Sequence, residues 1–65
     1  MTIAMLRAAL NYHIAQRRYG RFRLLPDANR ACSGEAKAHA VRHISWHTRE
    51  AYKLAGQLRA MLKRV

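Results

Sequence analysis

From residue 34 to its end the chain contains no proline and, after Gly34 at its start, one glycine, Gly56, and its apolar residues keep a strict rhythm. Val41, Ile44, Thr48, Ala51, Ala55, Leu58, Leu62 and Val65 follow one another at alternating spacings of three and four, and His47, Leu54 and Met61 widen the stripe on one side. That period belongs to a helix lying lengthwise against another helix, and no strand can present it. Ser33 is suited to cap its start. The expectation is a long helix over 34–64.

The N-terminal part also has helical period. Residues 2–19 hold neither Pro nor Gly, Thr2 can cap the start, and Gly20 stands where a terminating glycine is often found. Ile3, Leu6, Leu10 and Ile14 form one face; Met5, Ala9, Tyr12 and Ala15 occupy much of the rest, and only Arg7, Asn11 and Arg18 mark a polar strip. Between the helices, Gly20, Pro26, Asp27, Asn29 and Ser33 read as turn chemistry, so 20–33 is expected to be a loop. Within it Arg21-Phe22-Arg23-Leu24 alternates like a short strand, and Asp27 after Pro26 is placed to cap a single turn.

Together these give an all-α fold: one domain over 1–65, a helical hairpin of a short helix (2–19), a loop (20–33) and a long helix (34–64). At 1.5 Å per residue the helices would measure about 27 and 48 Å, so the short one covers roughly half of the long one. A 65-residue chain is also marginal alone, burying only about 60% of its unfolded surface. Two hairpins packed as a four-helix bundle would bury both apolar surfaces, and a homodimer is therefore expected. The rival is a monomer whose middle segment folds back as a lid. In size and hairpin plan the chain resembles the small RNA-binding hairpin dimers that regulate plasmid copy number. The likeness is one of architecture, with no shared residue motif.

Charge narrows the function. Thirteen Lys and Arg face three acids, Asp27, Glu35 and Glu50, for a formal net charge of +10. Solubility alone asks about 2–8 of a small domain. Such an excess attracts polyanions. No stretch reaches the ~18 apolar residues of a membrane span. Arg7 interrupts the first apolar stretch and no small-residue cleavage site follows, so neither a secretory signal nor membrane insertion is expected. Cys32 is the only cysteine, which excludes an internal disulfide and suits a reducing, cytoplasmic setting; it reads as a small residue in a turn.

Three clusters stand out. Arg17, Arg18, Tyr19, Arg21, Phe22 and Arg23 put four cationic forks and two rings within seven residues, a combination suited to phosphates and to stacked bases. On the second helix Arg42, Trp46, Arg49 and Lys53 recur at i, i+4, i+7 and i+11, away from the apolar stripe, and form a face that can follow a nucleic-acid backbone. A structural alternative packs Tyr19, Phe22 and Trp46 into the core and leaves the arginines solvated. Third, His39, His43 and His47 repeat every four residues, and His13 can reach them from the first helix. Such spacing can clasp a metal, but the three rotate around the helix, so they are weak candidates and no cofactor or metal is expected.

No catalytic arrangement emerges. Glu35 and Glu50 lie 15 residues apart, Ser45 points away from its histidine neighbours, and no glycine-rich phosphate loop occurs. The chain is expected not to be an enzyme. The leading expectation is a small basic nucleic-acid-binding protein of regulatory or architectural type. The alternative is an inhibitor or adaptor, of the kind phages and mobile elements carry, that docks on an acidic surface of a host complex. A membrane-surface role for the first helix is disfavoured by its narrow polar strip.

Overall fold

The computed structural model describes residues 1–64. Every element is helical: α1 (Ile3–Tyr19), a π-helical turn (Gly20–Leu24), α2 (Leu25–Ala31) and α3 (Gly34–Lys63). Both anticipated caps are present. The Thr2 hydroxyl accepts from the Met5 amide at 3.1 Å, and the Ser33 hydroxyl accepts from the Ala36 amide at 3.2 Å. Val65, the last residue of the expected stripe, lies outside the described residues.

The expected loop over 20–33 is corrected. Tyr19, Gly20, Leu24 and Leu25 all keep right-handed helical dihedrals, so α1, the π turn and α2 form one continuous rod. Neither a strand at Arg21–Leu24 nor a folded-back lid is present. Two local facts reconcile the turn-forming residues with a helix. In the π turn the Leu25 amide donates to the Gly20 carbonyl, five residues back, which interrupts the regular ladder just before Pro26. A proline supplies no amide and clashes with the carbonyl four residues earlier, and an interrupted ladder is where it does least harm. Asp27 and Arg30, one turn apart on α2, form an ion pair.

Gly20 is no terminator either. Its φ and ψ are −60° and −46°. A Cβ there would stand 2.7 Å from Ile44 Cγ1 and 3.0 Å from His43 Cδ2. The glycine is thus required by the close approach of α1 and α3. The left-handed residue is Cys32, at φ 53°. The Ser33 amide donates to the Ala28 carbonyl and the Cys32 amide to the Asn29 carbonyl, the paired bonds that close a Schellman motif. Two residues, Cys32 and Ser33, therefore turn the whole chain.

The result is a hairpin of two rods of nearly equal length, 50 × 14 × 14 Å. The inference of a half-covered long helix fails with the loop: α2 continues along α3 and covers the part that a short first helix would have left bare. The core is thin, because two helices share only one seam. Leu6 (1% exposed), Ala28, Ala40 (0%) and His47 (6%) are its buried side chains. Ile44, Thr48, Ala51, Ala55 and Leu58 of the expected stripe are half-buried, whereas Val41 and Leu62 are exposed. Near the turn the buried places go to Gly20, Ala28 and Ala40. Rods that approach this closely leave room for little beyond a Cβ, so Ala40 takes the seam and Val41 is displaced outward.

Candidate nucleic-acid interface

The seam has two flanks of opposite character. On one, His13 and Gln16 of α1 meet His43, Trp46 and His47 of α3. Nδ1 of His13 and Nδ1 of His47 lie 2.7 Å apart. His43 donates through Nε2 to the Gln16 carbonyl at 3.1 Å. Ring contacts extend the cluster: His43 to His47 at 4.5 Å, Trp46 to His47 at 4.8 Å, His13 to Trp46 at 5.4 Å, and Tyr12 to His47 at 5.9 Å. Tyr19 meets the His43 ring edge-on at 6.4 Å. Antiparallel packing explains the set, since it carries Tyr12, His13 and Tyr19 past the His43–His47 turn.

Burial pushes the His47 imidazole below the ordinary histidine value, and the neighbouring His43 and His13 push it further; Glu50 opposes them weakly. A charged imidazole would lose hydration there and face two more rings able to take a proton. His39 is exposed and meets only the edge of the cluster, 6.4 Å from His43. Among the described residues no three His, Cys, Asp or Glu side chains converge to hold a metal ion.

The expected α3 stripe is in place. Arg42, Trp46, Arg49 and Lys53 are all exposed, on four successive positions of one line. Lys53 reaches Glu50 at 3.4 Å, while Arg42 and Arg49 have no acidic partner among the described residues. Trp46 takes a middle course between the two expectations: it is 49% exposed, with one edge resting on His13 and His47.

The run from Arg17 to Arg23 is brought together differently than expected. It winds around the rod, so its members do not share one flexible patch. Arg18, Arg21 and Arg23 are exposed, Phe22 is 72% exposed, and Tyr19 is half-exposed. Phe22 anchors nothing. Arg17 departs from the group: its Nε is buried with no hydrogen-bond partner among the described residues.

Arg17 belongs to the other flank. Leu10, Ile14, Arg17, Thr48, Ala51, Tyr52 and Ala55 line an open groove of about 270 Å³. The Thr48 hydroxyl is already used, donating to the Ile44 carbonyl at 2.7 Å. Sequence reasoning missed this groove and Tyr52. The available signal was the position of Arg17 itself, seven residues from Leu10 and three from Ile14, hence on the apolar face of α1.

Among the described residues no helix is long and apolar enough to cross a membrane. Compared with known proteins, the chain matches no family model, no curated protein and no solved structure.

Proposed function

We propose that this is a small nucleic-acid-binding protein, regulatory or architectural in role and without catalytic activity, working in a reducing compartment such as the cytoplasm. The observation that carries the reading is the exposed line of Arg42, Trp46, Arg49 and Lys53 along a straight helix. Eleven positions at 1.5 Å give it a reach of about 16 Å. Cationic forks along such a line hold phosphates, and an exposed indole stacks on an unpaired base. Arg18, Arg21, Arg23, Tyr19 and Phe22 extend the same chemistry along the first rod, with Arg17 contributing charge from the seam.

The positive charge is free to act. Among the described residues only two acids are engaged, Asp27 with Arg30 and Glu50 with Lys53. Most of the thirteen cations therefore meet solvent or a partner.

A homodimer belongs to the same reading. Met5 and Tyr12 leave an apolar edge exposed on α1, Met1 is exposed just before it, and Leu62 is exposed near the end of α3. Covering such an edge with a second copy would enlarge a thin core. Light scattering at micromolar concentration tests this, and a monomer mass removes the dimer.

Fluorescence anisotropy with labelled single- and double-stranded DNA and RNA tests the binding itself. At ~50 mM salt even weak electrostatic complexes persist. Binding to at least one of the four is expected, and binding to none overturns the proposal.

A further inference from the structure

We infer that the groove between α1 and α3 is a docking site for an acidic amphipathic helix of a partner protein, with Arg17 receiving a carboxylate of that helix. This surface is separate from the Arg42–Lys53 line and does not depend on it.

Shape supplies the first argument. Leu10, Ile14, Ala51 and Ala55 give the groove an apolar lining that is open to solvent. At about 270 Å³ the groove lies at or below the small end of cavities that enclose a whole small molecule, about 300–1,000 Å³. An open trough of that size between two antiparallel rods suits the side chains of a third rod. Its apolar ridge, repeating every three or four residues, would lie between the first two helices.

Charge supplies the second argument and selects the partner. The buried Nε of Arg17, which lines the groove, has no hydrogen-bond partner among the described residues. Arg17 also has no acidic partner among the described residues, and a carboxylate brought to the groove would pair with its guanidinium through a charge-assisted bond. The rim has the same sign. Arg7 lies two turns from Ile14, Arg18 one turn from Ile14, and Arg59 one turn from Ala55 and two from Tyr52, so all three share the groove's flank. Each of the three is exposed. The acids are elsewhere: Asp27 and Glu35 stand near the turn, and Glu50 is beside His47 on the opposite flank.

A second copy of the chain would bring these arginines against their own kind. A nucleic-acid backbone would answer the charge but leave the apolar lining uncovered. A helix with an apolar ridge bordered by Asp and Glu answers both.

The test uses the full chain and three labelled synthetic helical peptides: a leucine ridge flanked by Glu, the same ridge flanked by Lys, and the Glu peptide with its leucines scrambled off the ridge. Anisotropy should show binding of the first alone. Arg17→Met should weaken it by at least about tenfold, as loss of one partner of a buried charge pair does. Ala51→Met, which fills the groove and keeps every charge, should abolish it while circular dichroism keeps its helical signal. If Arg17→Met fails to fold, the exposed pair Arg7→Gln and Arg59→Gln should still weaken the Glu peptide. Trp46→Ala should leave peptide binding unchanged, so failure of this site and failure of the nucleic-acid reading are distinguishable. Equal binding of the scrambled acidic peptide, or a dimer that Ala51→Met dissolves, would overturn the inference: the first reduces it to unspecific charge, the second gives the groove to another copy.

Discussion

Nδ1 of His13 and Nδ1 of His47 face each other at 2.7 Å across the seam between the two rods. A hydrogen bond between two such nitrogens needs one of them protonated and the other bare, so the imidazoles must hold complementary tautomers. They can share one proton at that place but cannot each carry one. His47, the one buried polar side chain of the core among the described residues, is thus satisfied by another histidine.

Stability should therefore fall in acid. The His47 value is depressed in the fold from its ordinary 6.5. Below that pH the unfolded chain takes up a proton that the folded chain resists. Stability is complete above about pH 6.5 and declines as the pH drops toward the folded value, beneath which the loss stops growing. Urea unfolding followed at about pH 8, 6.5 and 5 should show the decline in the wild type. His47→Gln should be less stable at pH 8 and flatter below 6.5. A variant curve as steep as the wild type would assign the acid sensitivity to other groups.

Gly20 and Ile44 set the distance between the rods. Gly20→Ala gains helix propensity, worth about 1 kcal/mol. It also puts a methyl 2.7 Å from Ile44 Cγ1, on a stiff branched side chain. Overpacking of this kind costs about 1–3 kcal/mol, so the sum should be destabilising or near zero. Pairing Gly20→Ala with Ile44→Ala opens the space and should show a coupling energy that favours the pair. Strictly additive losses in a double-mutant cycle would show that the two residues do not limit each other.

Cys32 holds a left-handed conformation that glycine adopts freely, φ 53°. A side chain there costs about 1–2 kcal/mol. Cys32→Gly should raise stability by up to about 1 kcal/mol, the gain being offset in part by the greater freedom of glycine in the unfolded chain. The sulfur is exposed and unbonded, so nothing in the core is lost. Thermal unfolding of the variant under reducing conditions measures it, and a lowered midpoint would deny that the Schellman turn is strained by its cysteine.

Affinity for nucleic acid should divide between charge and stacking. Each phosphate neutralised on duplex DNA contributes about −0.9 to the log–log salt slope. Arg42→Ala with Arg49→Ala should reduce the slope by up to about two units, with helix content unchanged because both side chains are exposed. Trp46→Ala should weaken binding to single strands by about 1–3 kcal/mol, the usual worth of a stacked base, and leave the slope in place. If the tryptophan variant alters the slope instead, its role is electrostatic positioning and not stacking.

How much of this was legible beforehand differs residue by residue. The run from Ile44 to Leu58 announced a seam through its period. Thr2 and Ser33 announced their caps through an oxygen able to reach a free amide three residues on. The line from Arg42 to Lys53 followed from the 100° helical step alone. These are local properties, and an isolated helix would display them. The middle of the chain was misread for an equally local reason: Gly20, Pro26, Asp27 and Asn29 usually break helices. Here a π turn absorbs the proline, and packing against α3 rewards continuing the rod.

The amino-acid sequence by itself determined that the chain is helical, that α3 buries one stripe and exposes a basic line, and that a large positive charge is left almost unopposed. Periodicity, capping and composition act within a few residues, and no partner element is needed to read them. Only the tertiary structure decided that Gly20 serves close approach and not termination, that His13 meets His47, and that Arg17 leaves its basic neighbours to line an apolar groove. Each of these depends on the register between two antiparallel rods. That register is set by the two-residue turn at Cys32 and Ser33 and shifted by the extra residue of the π turn. A shift of one residue rotates a helical side chain by about 100°, enough to exchange the histidine flank for the groove.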